Sequence, residues 1–341
     1  MKQIKSLSYS IYGWLLAWST LLLLLQKYLH DQNGALNNEA WFIHAVSDNV
    51  TQLAQQKVAV VTGSCRTKEG VVGKTWPFNR IGSIDMVQIT TRDANTEYAN
   101  PPQSKRRAVL LDFAQAVLID EFDEIKTLTD PQSEHSQILG YALARQRDKL
   151  CLSIPGLAAG GTAGTGTGGF LGKATTVDEA GETSSLTDLP SAQQIVNAGT
   201  NLTMAKIRQA NRMLDDADVE DDDRYFFYSP MAMEKLLTDS TVTSSEYGSI
   251  DRLVKGGFGL DETWMKFKWR RSTRLPKSGN IRSCIALQKM GVGLALGLVK
   301  NVDVNVAPHK WNNMQAIIKL SGGAVRIDDS RVIQVDVDES A

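Results

Sequence analysis

Gly164, Gly166 and Gly169 satisfy the spacing G-x-G-x-x-G, whose glycines let a dinucleotide phosphate approach the backbone at a helix N-terminus. That chemistry needs a strand ahead of the glycines, whereas a helical pattern precedes them and Thr-Gly low complexity surrounds them. Gly172-Lys173 looks like the end of a phosphate-binding loop, but Thr167 holds the place of the opening glycine and Ala174 that of the hydroxyl residue. The run reads as a loop. Asp215 to Asp223 carries seven acids in nine residues, and Asp216, Asp218 and Glu220 alternate as calcium ligands do. An EF-hand would place glycine at Asp221 and glutamate at Phe227, so a solvated helix-to-strand turn is expected, with loose cation binding as the alternative.

Cys65, Cys151 and Cys284 are odd in number and far apart, which fits buried apolar thiols in a reducing compartment and neither a disulfide framework nor a zinc pair. His30, His44, His135 and His309 are as dispersed, with no H-E-x-x-H. Neither G-x-S-x-G nor a cysteine-nucleophile signature occurs. The expectation is a non-enzymatic scaffold with no catalytic, cofactor-binding or metal-ligating residues. Lys105-Arg106-Arg107 and the series Lys266, Lys268, Arg270, interleaved with Phe267 and Trp269, could touch nucleic acid. Strand alternation explains the second group without any ligand, because it sends lysines to one face and aromatics to the other.

The elements that must carry these residues follow from periodicity. Ala40 to Gln56 has helical spacing at Phe42, Val46, Val50, Leu53 and Ala54, as a short amphipathic arm would. From Lys57 to Leu128 the runs VAVV, VVG, MVQIT and AVLLDFAQAVLI predict strands, with Ala94 to Arg107 an exposed loop and the whole block a projecting hairpin. Asp130-Pro131 starts a long helix with a stripe at Ile138, Ala142, Gln146, Leu150 and Ile154, accompanied by Leu139 and Leu143, ending at Pro155-Gly156. Gly156 to Gly172 holds eight of 27 glycines and Lys173 to Asp188 is polar, so these predict a flexible linker. Ser191 with Gln194 predicts a capped helix, Gly199-Thr200-Asn201 a break, and the following residues a helix through Leu214. Arg224 to Tyr228 reads as a strand, Ser229-Pro230 as a helix cap and Asp251 to Lys255 as one more helix. TWMKFKW, IALQKMGVGLAL, MQAIIKL and RVIQVDV read as strands of a mixed sheet.

With 37 basic against 38 acidic residues the net charge is −1, which excludes a surface built throughout to coat nucleic acid. A mean hydropathy of −0.21 excludes a polytopic membrane protein. Hydrophobic residues make up 42% of 341, enough for one large domain or two modest ones. No charge occurs between Lys5 and Lys27, and Ile11 to Leu25 ends in five leucines. This leader, residues 1–36, reads either as a misplaced translation start, with a non-methionine codon such as that of Leu36 opening the protein, or as an uncleaved membrane anchor.

Several strings, in order, resemble the major capsid proteins of short-tailed and related tailed bacteriophages. They are FIHAVSDNVTQLAQQK (Phe42 to Lys57), PFNRIG (Pro77 to Gly82), TTRDANT (Thr90 to Thr96), SKRRAVLLDF (Ser104 to Phe113), LIDEFDEIKTLTDPQSEH (Leu118 to His135) and ALARQRDKL (Ala142 to Leu150). Leu202 to Pro230 and GGAVRID (Gly322 to Asp328) continue the series. The resemblance runs from about residue 40 to 336 and leaves the leader outside.

It implies an α+β capsid fold, shared with encapsulins: an N-terminal arm at 37–57, an extended hairpin loop at 58–110 and a peripheral domain at 111–188 with a spine helix from Asp130 to Pro155. An axial domain at 189–306 and closing peripheral strands within 307–341 complete it. The implied function is a structural subunit that assembles as hexamers and pentamers into an icosahedral phage shell, made in the host cytoplasm. Implied partners are further copies, a portal, a scaffold protein and packaged DNA without sequence specificity. The alternatives are an encapsulin-like compartment and a membrane-anchored binding protein. Within the capsid reading, Arg80, Arg92, Lys105, Arg106 and Arg107 are expected to pair with an adjacent subunit's carboxylates, with Asp120, Glu121, Asp123 and Glu124 as the acids, or else to contact DNA.

Overall fold

The computed structural model describes residues 54–119 apart from 94 and 97, 131–152, 167–177, 184–238 and 263–340. These belong to one compact unit, Gln52–Asp123 with Asp130–Ala341. The leader, most of the expected arm, the expected helix at Asp251 to Lys255 and the candidate acids Asp120, Glu121, Asp123 and Glu124 lie outside the described residues.

In chain order the described strands are β1 (Arg66–Lys68), β2 (Thr75–Ile81), β3 (Gln103–Val109), β4 (Leu111–Ile119), β5 (Ala174–Val177), β6 (Ser184–Thr187), β7 (Gln194–Ile195) and β8 (Arg224–Tyr228). They continue with β9 (Thr263–Trp264), β10 (Phe267–Arg271), β11 (Lys277–Ser278), β12 (Ile281–Gln288), β13 (Val292–Ala307), β14 (Asn313–Arg326) and β15 (Val332–Asp338). The described α-helices are α1 (Pro131–Leu152), α2 (Met204–Asp216) and α3 (Pro230–Thr238).

Three sheets result. The first has the order β1-β13-β14-β4, and its centre is the long antiparallel ribbon β13–β14, whose register shifts between Leu296 and Val299 and between Lys300 and Asp303. Such irregularities bend and twist a ribbon too long to stay flat. Helix α1 packs on this sheet, burying Leu139 against Ala316 and Ile318. Of the expected stripe, Leu139 and Leu150 are buried and Leu143 is partly buried, whereas Ile138 is 36% exposed. At Gly323 the ribbon passes the β3–β4 junction so closely that a Cβ would lie 2.0 Å from the Val109 carbonyl oxygen.

The second sheet runs β7-β15-β12-β8-β10-β9, with β11 on β12. β8 is buried along its whole length, as the apolar-aromatic run RYFFY requires, and stacks Phe226 on Trp269 of β10 at 4.5 Å between ring centroids. Ile207, Ala210 and Leu214 of α2 and Ala232 and Leu236 of α3 join the same core. Burying each large apolar side chain contributes about 1.5–3 kcal/mol, so this sheet carries much of the stability. β15, expected among the closing strands of the other sheet, pairs here with β12 and β7.

The third sheet, β2-β3-β5-β6, is antiparallel and contains the expected hairpin, in register from Thr75 opposite Val109 to Ile81 opposite Gln103. Several local expectations are corrected. Lys105, Arg106 and Arg107 lie on strand β3 and not in the loop, because they pair with β2 and β5. VAVV, VVG and MVQIT form no strand with the described residues, and of VVG only the Val71 amide bonds to the ribbon, at the Leu296 carbonyl. Residues 172–188, expected as linker, supply β5 and β6 and bury Phe170 and Leu171 beside them. Ser191 opens a single 3-10 turn, after which Gln194 enters β7, because pairing with β15 outweighs the local cap. TWMKFKW folds back on itself at Met265 and Lys266, both at positive φ, so Lys266 sits in a turn between β9 and β10.

Candidate assembly surfaces

The root of the hairpin is held by a buried charge cluster. Arg106 is 1% exposed and makes a two-pronged pair with Asp329, Nη1 to Oδ1 at 2.7 Å and Nη2 to Oδ2 at 2.6 Å. The same carboxylate accepts from Nε of Arg326, which is fully buried and also donates to the carbonyls of Gly172 at 2.8 Å and Thr187 at 3.1 Å. One acid thus joins β3, the end of β14 and the segment around β5 and β6. Burial on its own raises the Asp329 pKa, and hydrogen bonds from Arg106 and Arg326, with their charges, outweigh it and hold the carboxyl below its ordinary value. Arg80 is half-buried, bonded to Ser104 Oγ and, at 3.3 Å, to the Ile327 carbonyl.

The five expected interface cations therefore divide. Arg106 is corrected: its counter-charge is Asp329 of its own chain, 223 residues away, and its side chain is buried. Arg80 is bound to its own chain as well. Arg107 is half-buried on β3, while Arg92 and Lys105 are exposed and have no ion pair among the described residues.

Beyond the root, the Gly82 amide donates to the Pro102 carbonyl at 2.8 Å and closes the neck of a long loop. Every described residue from Ile81 to Asn100 is exposed. The apolar ones include Met86 at 101% and Tyr98 at 92%, together with Ile81, Ile84, Val87 and Ile89. Exposed apolar residues clustered in this way mark a surface that another molecule covers.

The acidic turn between α2 and β8 finds its counter-ions in its own chain. Buried Arg224 pairs with Asp215 at 2.7 Å and Asp221 at 2.9 Å, Lys266 with Asp221 at 3.0 Å, Lys268 with Asp223 at 2.7 Å, and Arg331 with Glu220. The pKa of Asp215 is lowered because these cations outweigh its burial, and that of Glu220 because it accepts from Arg331. The turn is solvated on one side, as expected, and braced on the other. The interleaved lysines follow the strand explanation from Phe267 on, with Phe267 and Trp269 buried and Lys268 and Arg270 half-buried.

Two surface features carry no sequence signal strong enough to single them out. One is the turn of the β13–β14 ribbon, where Trp311 is 95% exposed. The other is a cleft of about 530 Å³ midway along that ribbon, walled by Val71, Val72, Leu110, Phe113, Leu298 and Leu320. Trp311 lies in a short polar turn that reads as any loop, and the cleft draws its walls from four distant segments.

A mixed sheet with two helices, a second sheet carrying a long helix along it, and a hairpin standing out from both define the tailed-phage major capsid fold. In solved structures the chain is similar to the capsid of cyanophage P-SCSP1u, with 17% identity over 87% of this chain and 93% of that one and a TM-score of 0.61. It is similar also to the capsid of Ralstonia phage GP4, with 13% identity over 86% and 95% and a TM-score of 0.63. A holo-encapsulin complex from Synechococcus elongatus shares the fold at 11% identity over 89% and 96%, with a TM-score of 0.52. Comparison with curated protein sequences returns no match. The family model described as phage capsid protein matches residues 39–339, and the chain belongs to that family. It is a structural major capsid protein, a virion component that associates with its own copies in a shell.

Proposed function

We propose that the chain closes as hexamers and pentamers into an icosahedral shell around the double-stranded DNA of a tailed phage, assembled in the host cytoplasm, and that it catalyses no reaction. Residues 37–57 serve as arm and 58–110 as extended loop, reaching over neighbours. The sheet β1-β13-β14-β4 with α1 is the peripheral domain. The seven-stranded sheet with α2 and α3 is the axial domain, which takes in β15 as well as residues from 189. A portal and a scaffold protein are the further partners. Packaged DNA is met without sequence specificity. Arg92 and Lys105 are the cations proposed to meet a neighbour's carboxylates.

The observation that supports this most is the exposed apolar arc from Ile81 to Tyr98, which costs solubility in an isolated chain and is covered in an assembly. Co-expression with any required scaffold should give closed shells or capsomers in sedimentation and in micrographs, whereas a well-folded monomer as the sole species would overturn the reading. The encapsulin likeness favours one second reading, a compartment holding a cargo enzyme. Genes for a terminase and portal nearby support the phage shell, and a neighbouring oxidase gene supports the compartment.

A further inference from the structure

Trp311 combines two unfavourable features in an isolated chain. Its large apolar surface is 95% exposed, and its backbone lies in the left-handed region at φ 54°, followed by Asn312 at φ 60°. Bulky residues rarely adopt that conformation, and strain of this kind persists where the surroundings or a function require it. Around it Pro308, His309 and Lys310 are exposed, as are Val306 and Met314 on the adjoining strands, so the ribbon ends in an apolar knob with a basic collar. The cleft midway along the ribbon has the complementary character. Its walls are apolar, Val72 at its rim is 94% exposed, and Asp112 and Lys319 stand at its edge.

Knob and cleft cannot meet within one chain. From Leu298 to Ala307 the ribbon extends by roughly 3.3 Å per residue, so the tip stands about 30 Å from the cleft, held off by the ladder with β14. We propose that Trp311 of one copy inserts into the cleft of a neighbouring copy, with Lys310 beside the neighbour's Asp112. This rests on the shell reading and names one contact within it. The contact is heterologous, because each copy offers a knob to one neighbour and a cleft to another, which is how a single chain propagates into a closed surface. A tryptophan buries about 150–250 Å², well below the 1,200–2,000 Å² of a stable interface, so Trp311 acts as an anchor inside a larger contact to which the hairpin loop contributes.

The test is cysteine cross-linking in assembled particles of the full chain. The double variant Trp311→Cys with Val72→Cys, oxidised with diamide, should give a ladder of covalent multimers in denaturing gels. The native Cys65, Cys151 and Cys284 are buried and form the silent background. Intact particles without a ladder, or dimers from Trp311→Cys alone, which would mean that tips meet tips, overturn the contact and leave the shell reading standing. If the unaltered chain forms no particles, both fall. A second variant separates docking from folding: Trp311→Gly removes the knob and the left-handed strain together. It should raise the melting temperature of the unassembled chain while lowering shell yield at least tenfold, and an unchanged yield would overturn the proposal.

Discussion

Asp329 is the residue on which the hairpin's attachment depends, because two buried guanidiniums share its carboxylate. Burial pulls the Arg326 pKa down while Asp329 pulls it up, and the group stays charged wherever the chain is folded. Replacing Asp329 by asparagine leaves both cations without a counter-charge and should cost about 3–5 kcal/mol at pH 7. Since its folded pKa is depressed, the stabilisation is complete above the unfolded value of about 3.9 and is lost as pH falls through the folded value. Urea unfolding of the unassembled chain should therefore show a wide gap between wild type and Asp329→Asn at neutral pH that narrows in acid. A gap independent of pH would contradict the assignment. Arg106→Glu belongs with this variant: it should release the hairpin root and reduce soluble protein before assembly can be scored.

Among the elements, glycines in the first sheet and in α1 predict opposite outcomes. At Gly323 a methyl group would meet the Val109 carbonyl, which is backbone and has no rotamer to yield, so Gly323→Ala should destabilise by about 3 kcal/mol or more. At Gly140 in α1 a Cβ meets nothing within 4 Å, and Gly140→Ala should gain about 0.5–1 kcal/mol from helix propensity. Thermal unfolding of the two variants before assembly checks the sign of each. The same distinction between local and distant causes explains what the sequence made legible. β8 is found at its expected bounds because its aromatic run is a strong strand signal within five residues, and Ser229 caps α3 by accepting from the Ala232 amide at 3.2 Å. The Ser191–Gln194 box is a sound local signal that loses to a ladder with β15, some 140 residues downstream. Arg106 looked like a surface cation for the same reason, since nothing near it in sequence reveals Asp329.

At the scale of the whole molecule, the exposed loop gives a direct probe of assembly. Arg92 lies in the exposed arc beyond the hairpin neck, where no strand protects the backbone. Trypsin should cleave after Arg92 in the unassembled chain within the first minutes and leave the site intact in shells, as peptide mass mapping of the two samples will show. Equal cleavage in both would mean that the loop stays uncovered, and the proposed overlap between neighbours would fail.

The position of β15 has a further consequence, for the order of events at the ribosome. The last described strand in chain order lies between β7 and β12, inside the largest sheet. β7 emerges some 140 residues earlier, about 7–28 s at ordinary rates of synthesis, and waits with one neighbour missing. The sheet cannot close until Val332 to Asp338 have been made, so a polypeptide terminated before them lacks a completed core. Defective copies are thereby left unfolded and exposed to proteases before they can enter a lattice in which one faulty tile would spoil many.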